Sequence, residues 1–282
     1  MQIIDSHLHL IDPRRHSYSW LADHPELNRE FALANYWRTA RPLGITACLH
    51  MEVDVAEADM AAEARWAAEL GAPIYAVIAA CRPEYSEFAE YLDDIGTIAN
   101  LRGLRRILHT SPDELSQRPL FVQNIRRLGP RHLPFDICVL ARQLPLAFAL
   151  AKACPDVQFI LDHCGGADFN SETFSHWRVD IHEIAALPNV ACKISGIITS
   201  GSQLQHIDRL RPVFEHCIDA FGWRRVVWGS DYPVTARGSA LAAWVKTTQT
   251  MLAGCSLNEQ EALFCTNATR LYRHTFPTSC RI

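Results

Sequence analysis

Eight short apolar runs, most of them followed by a longer segment with helical spacing, constrain the fold of this chain more than any other feature. The runs are MQIIDSHLHL, GITACLHMEVD, PIYAVIAAC, LRGLRRILH, PFDICVLA, VQFILDHCGG, NVACKISG and RVVWGSDYPV. Runs of this length predict β-strands, and strands that alternate with helical segments predict parallel βαβ units. Eight such units favour an α/β fold of the closed (β/α)8 type, the TIM barrel, over an open sheet.

The segments between the runs carry the start and stop signals of helices. The Ala/Glu-rich segment EADMAAEARWAAELG has apolar residues at helical spacing and stops at Gly71. Near the C-terminal end, Ser256 is followed three residues later by Glu259, which is the pattern of a capping box. Because a single barrel of this length is common, we expect one barrel domain over residues 1–282.

One stretch breaks this rhythm, between the first and second predicted strands. It reads DPRRHSYSWLADHPELNREFALANYWRTARPLG and is long, charged and rich in aromatic residues. We expect an elaborated loop after strand 1, on the face where barrels carry their active sites. Trp20 in this loop is a candidate substrate contact that could line a sugar or an aryl group equally well.

Composition narrows the classes of partner and the compartment. The formal net charge is −4 and no basic stripe occurs, so we expect no nucleic-acid partner. No apolar stretch approaches the roughly 20 residues of a membrane helix, and no signal-peptide pattern opens the chain. The ten cysteines are scattered without a CxxC motif, which favours free thiols. We therefore expect a cytoplasmic protein without a membrane partner.

Two histidines, His7 and His9, lie one residue apart at the end of the first apolar run. Alternate residues of a strand point to the same face, so both rings project together with the side chain of Asp5. The end of strand 1 is the catalytic end of a barrel. Taken alone, the pair could also be two hydrogen-bonded core histidines.

Two other strand ends favour a shared site. His163 follows strand 6 and precedes two glycines, which let backbone approach a ligand, and Asp231 follows strand 8 in WGSDYPV. Core histidines without a function would not all select the carboxyl ends of strands. We therefore expect His7, His9, His163 and Asp231 to meet at one mouth of the barrel.

Polar side chains on other strands are further candidates for contact with a substrate. They are His50, Glu52 and Asp54 on strand 2, Arg105 and Arg106 on strand 4, and Lys193 on strand 7. Only one of the two adjacent arginines can face inward, and the alternative for the pair is a surface contact with helix acids. A lysine amid apolar residues needs an anionic or metal-site neighbour, so we expect Lys193 at the site.

The residues around these positions resemble the amidohydrolase superfamily, and more narrowly its amidohydrolase-2 group of metal-dependent TIM-barrel hydrolases. The resemblance rests on IDSHLHLIDPRRHSYSWL, CLHMEVDVAEADMAAEARW, LRGLRRIL, FILDHCGG, NVACKISG and VVWGSDYPV. This group includes sugar-lactone hydrolases such as L-fuconolactonase, L-rhamnonolactonase, 4-sulfomuconolactonase and pyrone-dicarboxylate lactonase. The motifs indicate the group and leave the substrate open.

The resemblance implies a role for each matching position. His7 and His9 would bind a divalent metal ion, or polarise the substrate carbonyl where no metal is present, and His163 would be a ligand or a hydrogen-bond donor beside them. Asp231 would be the general base that takes a proton from the attacking water. The residues implied near the substrate are Glu52, Arg105, Arg106 and Lys193.

The departures from the family pattern concern the metal. Members with two metals bridge them with a carboxylated lysine or a glutamate on strand 4 and add a histidine on strand 5. Here strand 4 offers arginines, and strand 5 reads FDICV. We therefore expect either one metal ion, zinc or manganese, held by the imidazoles of His7, His9 and His163 and the carboxylate of Asp231, or a metal-free mechanism on the same residues.

The resulting expectation is a hydrolase that opens a small lactone, of the sugar-acid or muconolactone type, with an activated water. The partner is then a small-molecule lactone or acid, and the oligomeric state stays open, with a homodimer as one alternative. No GxSxG motif occurs, which disfavours covalent catalysis. Three alternatives remain: a metal-dependent decarboxylase, an amide hydrolase on the same barrel, and a barrel that only binds a ligand.

Overall fold

The computed structural model describes residues 1–167, 171–198, 207–235 and 239–273, and its sheet has eight parallel strands in chain order. The strands are β1 (Ile3–Leu8), β2 (Ile45–Met51), β3 (Ile74–Ala80), β4 (Leu101–Ile107), β5 (Phe135–Cys138), β6 (Phe159–Leu161), β7 (Val190–Ile194) and β8 (Val226–Trp228). Each lies inside one of the eight predicted runs. The predicted (β/α)8 barrel is therefore confirmed.

Backbone contacts beyond the last strand join β8 to β1. Leu8 forms a parallel bridge with Tyr232. The amide of His9 donates to the carbonyl oxygen of Tyr232 at 2.8 Å, and the amide of Asp231 donates to that of His7 at 2.9 Å. These contacts nearly close the barrel, and they also place the carboxyl end of β8 directly beside the two histidines of β1.

Helices lie between the strands and after β8. They are α1 (Leu33–Ala40), α2 (Met60–Glu69), α3 (Phe88–Ile95), α4 (Pro119–Arg126), α5 (Leu128–Arg131), α6 (Leu144–Ala153), the one-turn α7 (His163–Gly166), α8 (Ser171–Ala185), α9 (Ile207–Phe221), α10 (Ser239–Met251), α11 (Leu257–Glu261) and α12 (Asn267–Leu271). The predicted capping box is confirmed, because Ser256 Oγ accepts from the amide of Glu259 at the start of α11. None of the described helices is long and apolar enough to cross a bilayer.

The strands divide their side chains between two apolar clusters. Alternate residues of six strands, among them Ile4, Leu49 and Val227, form a small cluster inside the barrel, together with Tyr272 just after α12. The residues of opposite parity pack outward against the helices in the main core. Inside the barrel, therefore, apolar side chains fill one part, and the remaining inward positions are open to polar residues.

The predicted elaborated loop after β1 is confirmed. It contains α1 and a short 3-10 helix (Ser19–Asp23), and side chains fasten both to the barrel. Trp20 Nε1 donates to the carbonyl oxygen of Val53 at 2.9 Å, and the hydroxyl of Tyr36 donates to Asp5 at 2.6 Å. Asp5 also accepts the amides of His7 and Ser230, so its carboxylate holds the loop and the barrel seam together.

Candidate active site

Three possible ligand atoms meet where β1 and β8 end. The Nε2 atoms of His7 and His9 lie 3.1 Å apart. Asp231 Oδ1 lies 3.7 Å from His7 Nε2 and 3.4 Å from His9 Nε2. All three residues are buried. The structure thus brings together three of the four residues that the sequence placed at the mouth of the barrel.

Neighbouring groups decide which ring nitrogens carry lone pairs. His9 Nδ1–H donates to the carbonyl oxygen of Met51 at 3.0 Å, which leaves the lone pair of the neutral ring on Nε2. His7 Nδ1 lies 3.2 Å from Lys193 Nζ and 3.5 Å from Asp162 Oδ1, so it has a partner as acceptor or as donor. Burial lowers the pKa of His7 well below its usual value, so the ring is neutral, the form that binds metals.

The carboxylate of Asp231 is aimed by its backbone and by a hydroxyl. Its φ is +56°, in the left-handed region, and its Oδ2 accepts from the hydroxyl of Thr235 at 2.9 Å. Oδ1 therefore faces the imidazoles. Burial raises the pKa of Asp231, but the imidazoles of His163, His9 and His7 outweigh burial and lower it. The carboxylate is consequently ionised at neutral pH.

The geometry of this triad fits a divalent metal ion. Ligand atoms around tetrahedral zinc, with bonds of about 2.0–2.2 Å, lie about 3.3–3.6 Å from one another. The separations among His7, His9 and Asp231 run from 3.1 to 3.7 Å. Two imidazoles and a carboxylate also suit zinc or manganese by ligand type. A second group that could hold an ion comprises His7, Asp162 and His163.

His163 stands beside the triad at the start of α7. Its ring centre lies 4.6 Å from that of His7, and its Nδ1 lies 2.9 Å from Ser195 Oγ. Gly196, two residues beyond the end of β7, has φ +64°, and a Cβ atom there would lie 2.3 Å from His163 Nδ1. The absence of a side chain at Gly196 therefore creates the space in which the imidazole stands.

We expect Gly196→Ala to destabilise the protein and displace His163. The methyl group adds left-handed strain of about 1–2 kcal/mol and overpacking of about 1–3 kcal/mol. Gly71→Ala is the matched control, because Gly71 has φ +66° but no atom within 4 Å of the added Cβ. Comparing the free energies of unfolding of both variants in urea separates backbone strain from the steric overlap with His163. Equal free energies of unfolding for the two variants would contradict this account of Gly196.

A layer of buried charges lies next to the triad. Arg105 pairs with Glu52, with Nε 2.5 Å from Oε1, and also donates to the backbone oxygen of Glu52. Lys193 Nζ lies 2.5 Å from Asp136 Oδ1 and 2.9 Å from Asp162 Oδ1. Burial alone would lower the pKa of Lys193, but the two carboxylates raise it, so the ammonium stays charged. Each buried charge in this layer thus has a partner of opposite sign.

A cavity of about 410 Å³ opens from the triad to the loops. Its walls include His9, Trp20, Arg105, His109, His163 and Asp231. Among the predicted substrate contacts, the cavity is therefore lined by Trp20, Asp54 and Arg105. Between the two adjacent arginines, the structure selects Arg105 as the inward one.

Four other predicted substrate contacts do not line the cavity in the structure. Glu52 and Lys193 are enclosed by their ion pairs, with exposed fractions of 2% and 0%. Arg106 points away, where its Nη2 donates to Glu84 at 2.7 Å. His50 has the outward parity of strand β2 and packs edge-on against Trp66. Burial lowers the pKa of His50 to about 3, so its ring is a neutral core group.

Sequence reasoning missed two carboxylates and gave no role to one histidine. Asp136 and Asp162 form the ionic layer, and an aspartate inside an apolar strand, as in FDIC and FILDH, is the signal that could have indicated them. His109 lines the cavity, with its Nδ1 3.3 Å from Cys138 Sγ. Burial lowers the pKa of His109 and raises that of Cys138, so both groups are neutral at pH 7.

Comparison with known proteins places the chain in one family. The family model described as "Amidohydrolase" matches residues 4–274. An L-fucono-1,5-lactonase of Burkholderia multivorans is 28% identical over 318 aligned positions, which cover 99% of this chain and 98% of that protein. An L-fucono-1,5-lactonase of Burkholderia ambifaria is 33% identical over 146 positions, half of each chain.

A solved structure shares the same fold. A zinc-bound amidohydrolase of Burkholderia multivorans superimposes with a TM-score of 0.88 at 24% sequence identity. The match covers 98% of this chain and 100% of that one.

Proposed function

The chain belongs to the amidohydrolase family, and from this premise we propose that it is a hydrolase that opens a small, uncharged lactone with water. One observation carries the proposal: His9 and Asp231 line a cavity large enough for a sugar-sized ligand, and the buried His7 lies directly against both of them. This set can both polarise a carbonyl and accept a proton, which are the two requirements of ester hydrolysis. The relatives named L-fucono-1,5-lactonase support a lactone as the substrate.

We further propose that His7, His9 and Asp231 hold one divalent metal ion. Zinc is favoured over manganese because a zinc-bound amidohydrolase has the same fold. When bound, the ion would supply Lewis-acid polarisation of the substrate carbonyl. If the protein works without metal, His7 can donate to that oxygen from Nε2–H when its Nδ1 accepts from Lys193, whereas His9 cannot, because its Nδ1–H is donated to Met51.

The proton transfers are assigned to Asp231. It is ionised, its Oδ2 is fixed by Thr235, and its Oδ1 faces the histidines. It accepts a proton from the attacking water and returns it to the ring oxygen that leaves as the lactone opens, a role typically worth 10²–10⁴-fold in rate. His163, which lines the cavity beside the triad, donates a hydrogen bond to the developing oxyanion.

The charge of the cavity wall favours a neutral substrate. Among the described residues that line the cavity, Arg105 is the one arginine or lysine. Its guanidinium already donates two hydrogen bonds to Glu52. A dianionic lactone would need a free guanidinium to bind its carboxylates. Trp20 offers a fixed aromatic wall, because its Nε1 is bonded to the backbone of Val53, and such a wall suits the C–H face of a sugar ring.

The test compares ring opening of neutral and anionic lactones by the purified protein, before and after chelation. We expect bound zinc or manganese near one ion per chain by elemental analysis, hydrolysis of neutral aldonolactones, and loss of rate on metal removal with recovery on re-addition. Preference for 2-pyrone-4,6-dicarboxylate or 4-sulfomuconolactone would refute the neutral-substrate assignment.

The same assay separates the other activities of this barrel. Release of CO2 from aromatic carboxylates without lactone hydrolysis would indicate a decarboxylase, and turnover of amides alone would indicate an amide hydrolase. Failure of every lactone, ester and amide tested would leave a binding protein. Full activity of the metal-stripped protein would remove the metal from the proposal and retain the lactonase.

A further inference from the structure

Three cysteine sulfurs meet at a point outside the barrel that the proposed reaction does not use. Cys164 is in α7, Cys192 is in β7 and Cys217 is in α9, and their Sγ atoms all lie within 4.8 Å of one another. All three side chains are fully buried. Cys192 points toward the helices because its neighbour Lys193 points into the barrel. We call these residues the thiol triad.

The triad joins parts of the chain that are distant in sequence, so tertiary packing alone creates it. Isolated buried cysteines pack as small apolar side chains and need no further explanation. Three sulfurs within 4.8 Å of one another are different, because ligand atoms around a soft metal ion are grouped in this way. The described chain has other buried cysteines, among them Cys154 beneath α4, which belong to no such group.

The number of sulfurs and their burial decide which ion fits. Zinc and similar divalent ions take four ligands, and within the described parts of the chain this group offers three. A divalent ion would also require two thiolates to cancel its charge in an apolar core, where unpaired charge is costly. A soft monovalent ion accepts three sulfurs and needs one thiolate for neutrality.

We propose that the thiol triad is a binding site for a soft monovalent cation, with Cu(I) as the biologically available member of this class. Binding breaks one S–H bond, releases that proton to solvent and forms three copper–sulfur contacts, and no electron is transferred. The ion takes no part in lactone hydrolysis. Its site is distinct from the group formed by His7, His9 and Asp231.

Cu(I) supplied under anaerobic conditions as its bathocuproine disulfonate complex tests this site on zinc-loaded, full-length protein. We expect one Cu(I) per chain to transfer from the chelator, slowly, because buried sulfurs require a local opening. X-ray absorption on this wild-type sample should show a first shell of three sulfurs without nitrogen. This measurement does not depend on whether any variant folds.

Alanine variants provide the second arm. Cys164→Ala, Cys192→Ala and Cys217→Ala should each weaken Cu(I) binding at least about tenfold, whereas Cys154→Ala and Cys138→Ala should not. Cys138 is included because it lies beside His109 in the catalytic cavity. A shell that contains nitrogen, equal binding by all five variants, or no transfer from the chelator would each overturn the proposal.

Discussion

Asp231→Asn lowers the turnover number for lactone hydrolysis by at least about a hundredfold and leaves the fold intact. An amide cannot accept the proton of the attacking water, and it removes the negative charge that faces His7 and His9. Asparagine is the suitable replacement because it tolerates the left-handed φ of +56° at this position. Its side-chain oxygen can also keep the hydrogen bond from Thr235.

Steady-state kinetics with a neutral aldonolactone, together with metal analysis of the same sample, make this test specific. Expressing turnover per bound metal ion separates loss of the base from loss of a ligand. Asp94→Asn is the matched control, because Asp94 is exposed and pairs with Arg65 far from the barrel mouth. A turnover number for Asp231→Asn within threefold of wild type would remove Asp231 from the mechanism.

Lys193→Met lowers the free energy of unfolding by about 3–5 kcal/mol, because it removes one partner from a buried ion pair. The variant leaves Asp136 and Asp162 in the barrel interior without their ammonium, and neither carboxylate is accessible to water. Methionine keeps most of the volume of the lysine side chain. The loss in free energy of unfolding therefore measures the effect of the missing charge and not that of a cavity. Catalysis should fall as well, because Lys193 and Asp162 are the neighbours of His7 Nδ1.

Urea unfolding followed by circular dichroism measures this effect. Arg65→Met serves as the control, since its exposed pair with Asp94 is worth at most about 1 kcal/mol. The double variant Lys193→Met with Asp136→Asn should recover part of the loss, because it removes one of the two buried carboxyl groups that lose their ammonium partner. If Lys193→Met costs no more than the Arg65 control, the ionic layer does not hold the barrel interior together.

The fold was largely readable from local pattern. Strand-sized runs alternating with helical segments determine a parallel barrel, because a hydrogen-bonded chain can bury such runs in few other ways. The predicted strand ends were less accurate where the chain leaves the sheet before the end of the apolar run. β6 ends at Leu161 and β8 at Trp228, and left-handed residues, among them His163 and Asp231, follow within three positions. Left-handed conformations at these non-glycine positions are imposed by tertiary contacts.

The sequence by itself determined which strand ends carry chemistry, since chain order and the period of two place His7, His9 and Asp231 at one mouth. Only the tertiary structure decided what each charged side chain faces. Lys193 and Glu52 meet carboxylate or guanidinium partners at depths set by the stagger between neighbouring strands, and the thiol triad depends on how α9 packs on β7. Stagger and packing are properties of pairs of elements. A local sequence pattern indicates which face of a strand or helix a residue lies on, but not which residue lies opposite. Stagger and packing therefore cannot be predicted from it.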